Sequence, residues 1–237
     1  MKFSHKAVLA VGVAVASSFG TMDASACLRA MESPAERPDK PDAPHLVAQA
    51  EQALDAGKLA VATNTLLKQF PTLRVALTRK DAADHLENRA MRIVALASVR
   101  SAGAFGVMGG QGDQKKKSNL DWSVGALRKL NAARPDDASL QADLGEALAR
   151  TPATQKESLE ILSKLATDDL IGSPHAYAAL ATLQAAAGDA SKSADALKRC
   201  QGMTSTPAIC QPAPPVQGKP ATPKDAPQPP PVAQNRA

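Results

Sequence analysis

Residues 174–197 have the sequence PHAYAALATLQAAAGDASKSADAL, in which Gly188 and Asp189 divide two alanine-rich segments. In the second segment Ser193 is followed four places later by Leu197, a spacing that puts both side chains on one face of a helix. The same pair of a small residue and a leucine recurs at Ala62/Leu66, Ala126/Leu130 and Ser158/Leu162. This repetition predicts stacked helix pairs, and it favours a binding or scaffolding function over an enzyme.

The rest of the segment from residue 44 to 205 also predicts an all-α fold. Alanine and leucine dominate, and apolar positions recur at spacings of three and four rather than two. Gly57 separates a predicted helix over 45–56 from one over 59–69, and Pro135-Asp136-Asp137 ends one helix and caps the next. Ser173 offers a capping hydroxyl before Pro174 at the first helical position. We expect seven or eight helices.

These patterns resemble the tetratricopeptide repeat family, with a bulky residue and Leu-Gly or Leu-Ala in a first helix, Gly at the turn and Ala in the second helix. The positions that carry the resemblance are Leu46, Ala50, Gly57, Ala62 and Leu66; Leu86, Ala90, Ile93, Ala126 and Leu130; Leu144, Gly145, Leu148, Ser158 and Leu162; and Tyr177, Leu180, Ala181, Gly188, Ser193 and Leu197. The resemblance implies an α-solenoid of about four helix-turn-helix repeats over residues 45–205. Its first helices would line a concave groove for a protein or peptide partner.

The small residues of the pattern are expected to lie where two helices approach closely. Gly145 and Ala181 would face Ser158 and Ser193, and the leucine four places later would cover the next repeat. The repeat-packing residues are therefore predicted to be Ala62, Leu66, Ala126, Leu130, Gly145, Ser158, Leu162, Ala181, Ser193 and Leu197.

The first 26 residues have the three parts of an export signal. Lys2 and Lys6 precede an apolar run over 7–20, and Ala24-Ser25-Ala26 forms a small-x-small cleavage site. The alternative is a retained helix or anchor. Export predicts a periplasmic or secreted protein. Cys27 directly follows the cleavage site, so either simple release or lipidation of Cys27 is open, although Ala24 stands where a lipobox normally has Leu.

Two proline-rich segments flank the predicted domain. Residues 27–44 form a predicted linker, and residues 206–237 a predicted disordered tail with nine prolines after residue 210. Cys200 and Cys210 lie near the junction with the tail. In an oxidising compartment they are expected to form a disulfide worth roughly 3 kcal/mol or less, the alternative being two unpaired buried thiols.

The Gly- and Lys-rich segment 103–118 interrupts the second repeat. It lacks the Gly-Lys-Ser/Thr spacing of a phosphate-binding loop, so a mobile loop with solvated lysines is expected. Alternatively, Phe105, Val107 and Met108 form an apolar tip that docks on a partner. Trp122 is expected to begin the following helix, either packed in the core or in contact with a ligand.

Glu51, Glu87 and Glu146 are candidates for partner contact in the groove, or else solvated surface residues. His45, His85 and His175 lie near the starts of first helices in the repeat alignment, and even successive repeats are too far apart to share one metal ion. The sequence has no recognisable catalytic or cofactor-binding motif, so we expect neither an enzyme nor a cofactor. A scattered net charge of +5 with 3% aromatic residues argues against nucleic-acid binding. Contact with a membrane is expected only through lipidation of Cys27.

Together these features predict an exported, tetratricopeptide-like scaffold or assembly factor of the bacterial cell envelope that binds proteins. The alternative is a structural envelope protein associated with peptidoglycan or the cell surface.

Overall fold

A computed structural model describes residues 42–79, 83–109 and 112–211, and no residue in these ranges belongs to a β-strand. The predicted all-α class is confirmed. Eight α-helices follow one another: α1 Ala43–Asp55, α2 Leu59–Gln69, α3 His85–Arg100, α4 Asp113–Ala133, α5 Ala138–Leu148, α6 Gln155–Thr167, α7 Pro174–Ala186 and α8 Ala190–Met203. Three short 3-10 helices, each starting with proline, span Pro71–Val75, Pro152–Thr154 and Pro207–Cys210.

Aspartate side chains cap the amino ends of four helices. Asp42, Asp84, Asp137 and Asp189 accept hydrogen bonds from backbone N–H groups in the first turns of α1, α3, α5 and α8. These bonds satisfy donors that have no partner inside the helix. The prediction for Ser173 was wrong: Pro174 does begin α7, but the Ser173 hydroxyl makes no capping hydrogen bond.

The carboxyl ends of α1, α3 and α7 share one geometry. After each helix a residue adopts positive φ, namely Gly57, Ala102 and Gly188, with φ of 70°, 51° and 85°. The next backbone N–H then reaches a carbonyl five residues back, as Asp189 does to Gln184 at 2.9 Å. This ending satisfies carbonyls that the helix leaves free. Two of the three positions are glycine, the residue that adopts this conformation at the lowest cost.

The helices pack in chain order. Each odd-numbered helix contacts the helix that follows it, which forms the pairs α1–α2, α3–α4, α5–α6 and α7–α8. Contacts of α2 with α3, α4 with α5 and α6 with α7 join successive pairs. The odd-numbered helices also contact one another directly, α1 with α3, α3 with α5 and α5 with α7. Neighbouring pairs therefore bury each other's apolar faces.

Small residues lie where the two helices of a pair meet. Gly145 and Ser158 connect α5 and α6, since the Ser158 hydroxyl donates a 2.6 Å hydrogen bond to the Gly145 carbonyl. Ser193 donates equivalently to the Ala181 carbonyl at 2.8 Å between α8 and α7. Of the ten predicted packing residues, nine are buried, and Leu197 on the last helix is half-buried.

The limits of the folded region differ from the prediction at both ends. Pro44 lies in the first turn of α1 rather than in a linker. Residues 206–211 belong to the fold rather than to the tail, because the 3-10 helix Pro207–Cys210 follows α8 and Cys210 is buried. The predicted signal over 1–26, Cys27, most of the linker and the tail from residue 212 lie outside the described residues.

The prediction for residues 103–118 was also partly wrong. Helix α4 begins at Asp113, so Lys115, Lys116 and Lys117 lie on its first turns rather than in a loop. Trp122 lies near the middle of this 21-residue helix instead of at its start, and it is buried. Val107 is buried as well, while Phe105 and Met108 are exposed.

Candidate binding groove

The odd-numbered helices line a common groove with a volume of about 420 Å³. The start of α7 and the segment after α8 complete its wall. Its lining residues are Glu51, Leu54, Asp55, Arg92, Ile93, Leu96, Arg100, Asp143, Gly172, Ser173, Pro174, His175, Thr204 and Ile209. Charged and apolar side chains both line this surface, and Leu54, Ile93 and Leu96 among them are buried.

Arginines of α3 form ion pairs with both neighbouring first helices. Arg89 binds Glu51 of α1, with Nη2 and Oε2 2.6 Å apart. Towards α5, the Nε of Arg92 lies 2.5 Å from Oδ2 of Asp143 and that of Arg100 lies 3.2 Å from Oε1 of Glu146. These pairs connect α1, α3 and α5 in the charged part of the groove.

These contacts contradict two of the three glutamates predicted to contact a partner. Glu146 is buried and neutralised by Arg100. Glu87 is buried too, where both its carboxylate oxygens accept hydrogen bonds from Arg79 and one accepts from Thr72. Neither carboxylate can therefore receive a basic partner segment without losing an arginine. Glu51 does line the groove, but it already binds Arg89.

The carboxyl group of Asp143 is buried in the lining of the groove. Burial raises the pKa of the Asp143 carboxyl above its ordinary range, and the Arg92 guanidinium acts in the opposite direction. A desolvated carboxylate is stable only while its partner stays in place. Arg92 is thus held at the groove surface by a group that needs its charge.

Two groove side chains have hydrogen-bonding capacity to spare. The Nη1 and Nη2 atoms of Arg92 make no hydrogen bond with any described residue, because only its Nε binds Asp143. The Asp55 side chain is exposed and makes no hydrogen bond or ion pair within the described ranges. Arg92 can receive a carboxylate and Asp55 a cation or an N–H donor.

His175 at the start of α7 contributes a neutral ring. Burial, aided by the charge of Arg100, lowers the pKa of His175, so the imidazole is uncharged near neutral pH. His45 and His85 are exposed at the starts of α1 and α3. Among the described residues no cluster of His, Cys, Asp and Glu side chains is suited to hold a metal ion.

A disulfide fixes the last part of the groove wall. Cys200 of α8 is bonded to Cys210, and both are buried. The bond holds the 3-10 helix Pro207–Cys210 against α7 and α8, which places Ile209 in the groove wall. Of the two open alternatives for these cysteines, the structure has the pair.

Sequence patterns did not indicate the groove residues Arg92, Arg100, Asp143 and Ile209. Arg92 and Asp143 are 51 residues apart, and the repeat pattern describes apolar positions only. One signal was available: in α3, Arg89, Arg92 and Arg100 lie among otherwise buried residues, where a charge needs a partner.

Comparisons with models of protein families, with curated proteins and with solved structures find no match for this chain. Within the described ranges, no helix combines the length and the apolar character required to cross a membrane.

Proposed function

We propose that this chain is an exported α-solenoid of about four tetratricopeptide-like repeats that binds an extended segment of a partner protein. It would act as a scaffold or assembly factor of the bacterial cell envelope. The observation that carries the proposal is the groove, because four helices from four successive pairs contribute to one concave surface.

The packing of the helices supports the repeat assignment. Ser158 with Gly145 and Ser193 with Ala181 make the same hydrogen bond in consecutive pairs. Ala50 and Ala62 occupy corresponding buried positions in the first pair. Equivalent contacts in successive pairs are what a repeat architecture requires.

The chemistry of the groove supports a segment that carries charges of both signs. Arg92 keeps its Nη atoms available although its Nε binds Asp143, and the exposed Asp55 side chain has no partner among the described residues. Leu54, Ile93 and Leu96 line the groove but are buried, so they add little apolar surface. An extended segment suits this geometry, because it can run across the row of helices and contact each helix in turn. Groove binding of this kind needs no rearrangement of the helices.

The experiment fills the groove without disturbing the fold. Gly172 lines the groove, and a side chain built there meets no atom within 4 Å, so Gly172→Trp should block the groove in a folded protein. Gly202→Trp is the matched control, since Gly202 is equally open but does not line the groove.

Both variants and the wild type are crosslinked in intact bacterial cells, and the adducts are identified by mass spectrometry. We expect one defined envelope component with the wild type and Gly202→Trp, and its loss with Gly172→Trp. Retention of all three proteins on the detergent-washed sacculus, with no such adduct, would instead support the structural role at peptidoglycan.

A further inference from the structure

The turn over 103–108, which follows α3, is held by a buried asparagine. Asn119 of α4 is fully buried, and its Nδ2 donates a 2.9 Å hydrogen bond to the Gly103 carbonyl. Its Oδ1 accepts a 2.9 Å bond from the Met108 backbone N–H. Gly106 packs directly on the same carboxamide, where a Cβ would come within 2.6 Å. One side chain therefore fixes both ends of the turn over 103–108.

A second anchor holds the same turn from the other side. Nη1 of Arg74, in the 3-10 helix after α2, donates to the Val107 carbonyl. The Val107 side chain is buried in the core. Despite this rigid frame, Phe105 and Met108 are 40% and 48% exposed. Large apolar side chains that remain exposed on a well-anchored turn indicate a contact surface for another molecule.

The segment after α2 also carries exposed apolar side chains. Val75 and Leu77 lie one and three residues after Arg74 and are 54% and 37% exposed. Leu77 packs against Gly125 of α4. A Cβ atom built on Gly125 would lie only 2.9 Å from Cδ1 of Leu77. We call Phe105, Met108 and the adjoining Lys115–Lys117 the loop surface.

The charge around the loop surface is predominantly positive. The turn packs on the first turns of α4, because Gly103 contacts the backbone of Lys116. Lys116 pairs with Asp113 and Lys117 with Asp121, while Lys115 has no carboxylate partner among the described residues.

A further cation lies beside the turn. Arg74 donates to the backbone carbonyl of Val107, so no carboxylate neutralises it in the described structure. The four cations Arg74, Lys115, Lys116 and Lys117 therefore outnumber the two carboxylates of Asp113 and Asp121.

We propose that the loop surface binds an anionic lipid surface, into which Phe105 and Met108 insert. At such a surface, exposed apolar side chains are buried at the acyl boundary, and neighbouring lysines are attracted by the negative headgroups. An acidic protein is the other occupant that this charge would attract, and the experiment below distinguishes the two. This contact does not depend on the groove, nor on lipidation of Cys27.

The test uses the full chain with a tryptophan reporter. Phe105→Trp puts the reporter in the loop surface, and Val61→Trp puts it at an exposed position on α2 as the control. Both proteins contain the buried Trp122 and the same residues 1–41, so a difference between the two reports on the loop surface. Each protein is titrated with vesicles of phosphatidylglycerol and, separately, of neutral phosphatidylcholine.

We expect the emission of Phe105→Trp to shift to the blue with phosphatidylglycerol vesicles only, and that of Val61→Trp to stay unchanged. Adding Lys115→Ala, Lys116→Ala and Lys117→Ala should raise the lipid concentration for half the shift by about tenfold or more. The proposal fails if Phe105→Trp shows no shift, shifts equally with neutral vesicles, or responds only to an acidic polypeptide such as polyglutamate.

Discussion

Gly145 of α5 leaves room for Leu162 of α6: a Cβ on Gly145 would lie 2.6 Å from Cδ2 and 2.7 Å from Cγ of that leucine. The two residues belong to one helix pair, and Ser158 of α6 binds the Gly145 carbonyl beside them. The close approach of these helices therefore depends on a missing side chain.

Gly145→Ala is expected to destabilise the fold by about 1 to 3 kcal/mol, because Leu162 is fully buried and has little space to retreat. Urea denaturation followed by circular dichroism measures the change. Gly202→Ala in α8 is the matched control, since its Cβ meets nothing and alanine favours the helix. A loss of stability of the same size in both variants would show that the contact with Leu162 is not the cause.

Breaking the ion pair of Arg100 and Glu146 should have a large effect. Their side chains are only 10% and 2% exposed, so Arg100→Met leaves a buried carboxylate without a partner. We expect a loss of about 3 to 5 kcal/mol in the free energy of unfolding. The double variant Arg100→Met/Glu146→Leu should recover most of it, as measured by urea denaturation.

The pair of Arg128 and Glu157 provides the control for this experiment. Its side chains are 50% and 45% exposed, so Arg128→Met should change stability by about 1 kcal/mol or less. Equal effects of Arg100→Met and Arg128→Met would contradict the assignment of a buried pair in the groove.

Glu87 should make stability depend on pH between neutral and acidic conditions. The hydrogen bonds from Arg79 lower the pKa of Glu87 from its ordinary 4.5, against the opposing effect of burial. A carboxyl with a lowered folded pKa stabilises the protein above its unfolded pKa, and this contribution disappears as the pH falls through the folded value. Asp143, whose pKa is raised, acts with the opposite sign.

Glu87→Gln isolates the contribution of Glu87 from those of the other carboxyls. We expect it to lower stability by about 1 to 3 kcal/mol at pH 7 and by progressively less below pH 4.5. Unfolding of both proteins in urea from pH 7 to pH 3 gives the difference. A difference that stays constant over this range would rule out the proposed role of the ion pair with Arg79.

Ala102 adopts a backbone conformation that suits glycine. Its φ of 51° lies in the left-handed region, in the same position after α3 that Gly57 and Gly188 occupy after α1 and α7. Ala102→Gly should therefore stabilise the protein by up to about 1 kcal/mol. Gly188→Ala should destabilise it by a similar amount. Thermal unfolding of the two variants checks the opposite signs, and a destabilised Ala102→Gly would contradict the shared helix ending.

The sequence predicted most of the helices, for reasons that are local. Gly57, Pro135 and Pro174 act on the backbone of their own segment, so the limits of α2 and the starts of α5 and α7 could be placed to within a few residues. The start of α4 was missed because Gly112, the residue before it, offers no side-chain cap. The spacings of Asp113 with Lys116 and of Lys117 with Asp121 were a usable signal for a helix there.

The groove could be predicted only in part, because its charged residues are paired across long distances in the chain. Glu146 has the pattern of a surface residue in the sequence, because its partner Arg100 is 46 residues away. Glu87 is paired more locally, with Arg79, and the repeat pattern describes apolar positions only, so it indicated neither pair. Asn119 is polar and yet fully buried, which no periodicity would suggest. The roles of such residues depend on which helices become neighbours.

The most direct test of the account is a photocrosslinking scan in living bacterial cells. A photoreactive amino acid replaces Asp55 or Gly172 in the groove, or Asn64 on α2 or Lys198 on α8 at exposed positions outside it. Asp55 is the last residue of α1, and Gly172 lies just before α7. We predict that these two positions give the same protein adduct, while Asn64 and Lys198 give none. Adducts with equal yield from all four positions, or unrelated adducts from Asp55 and Gly172, would contradict a single binding groove.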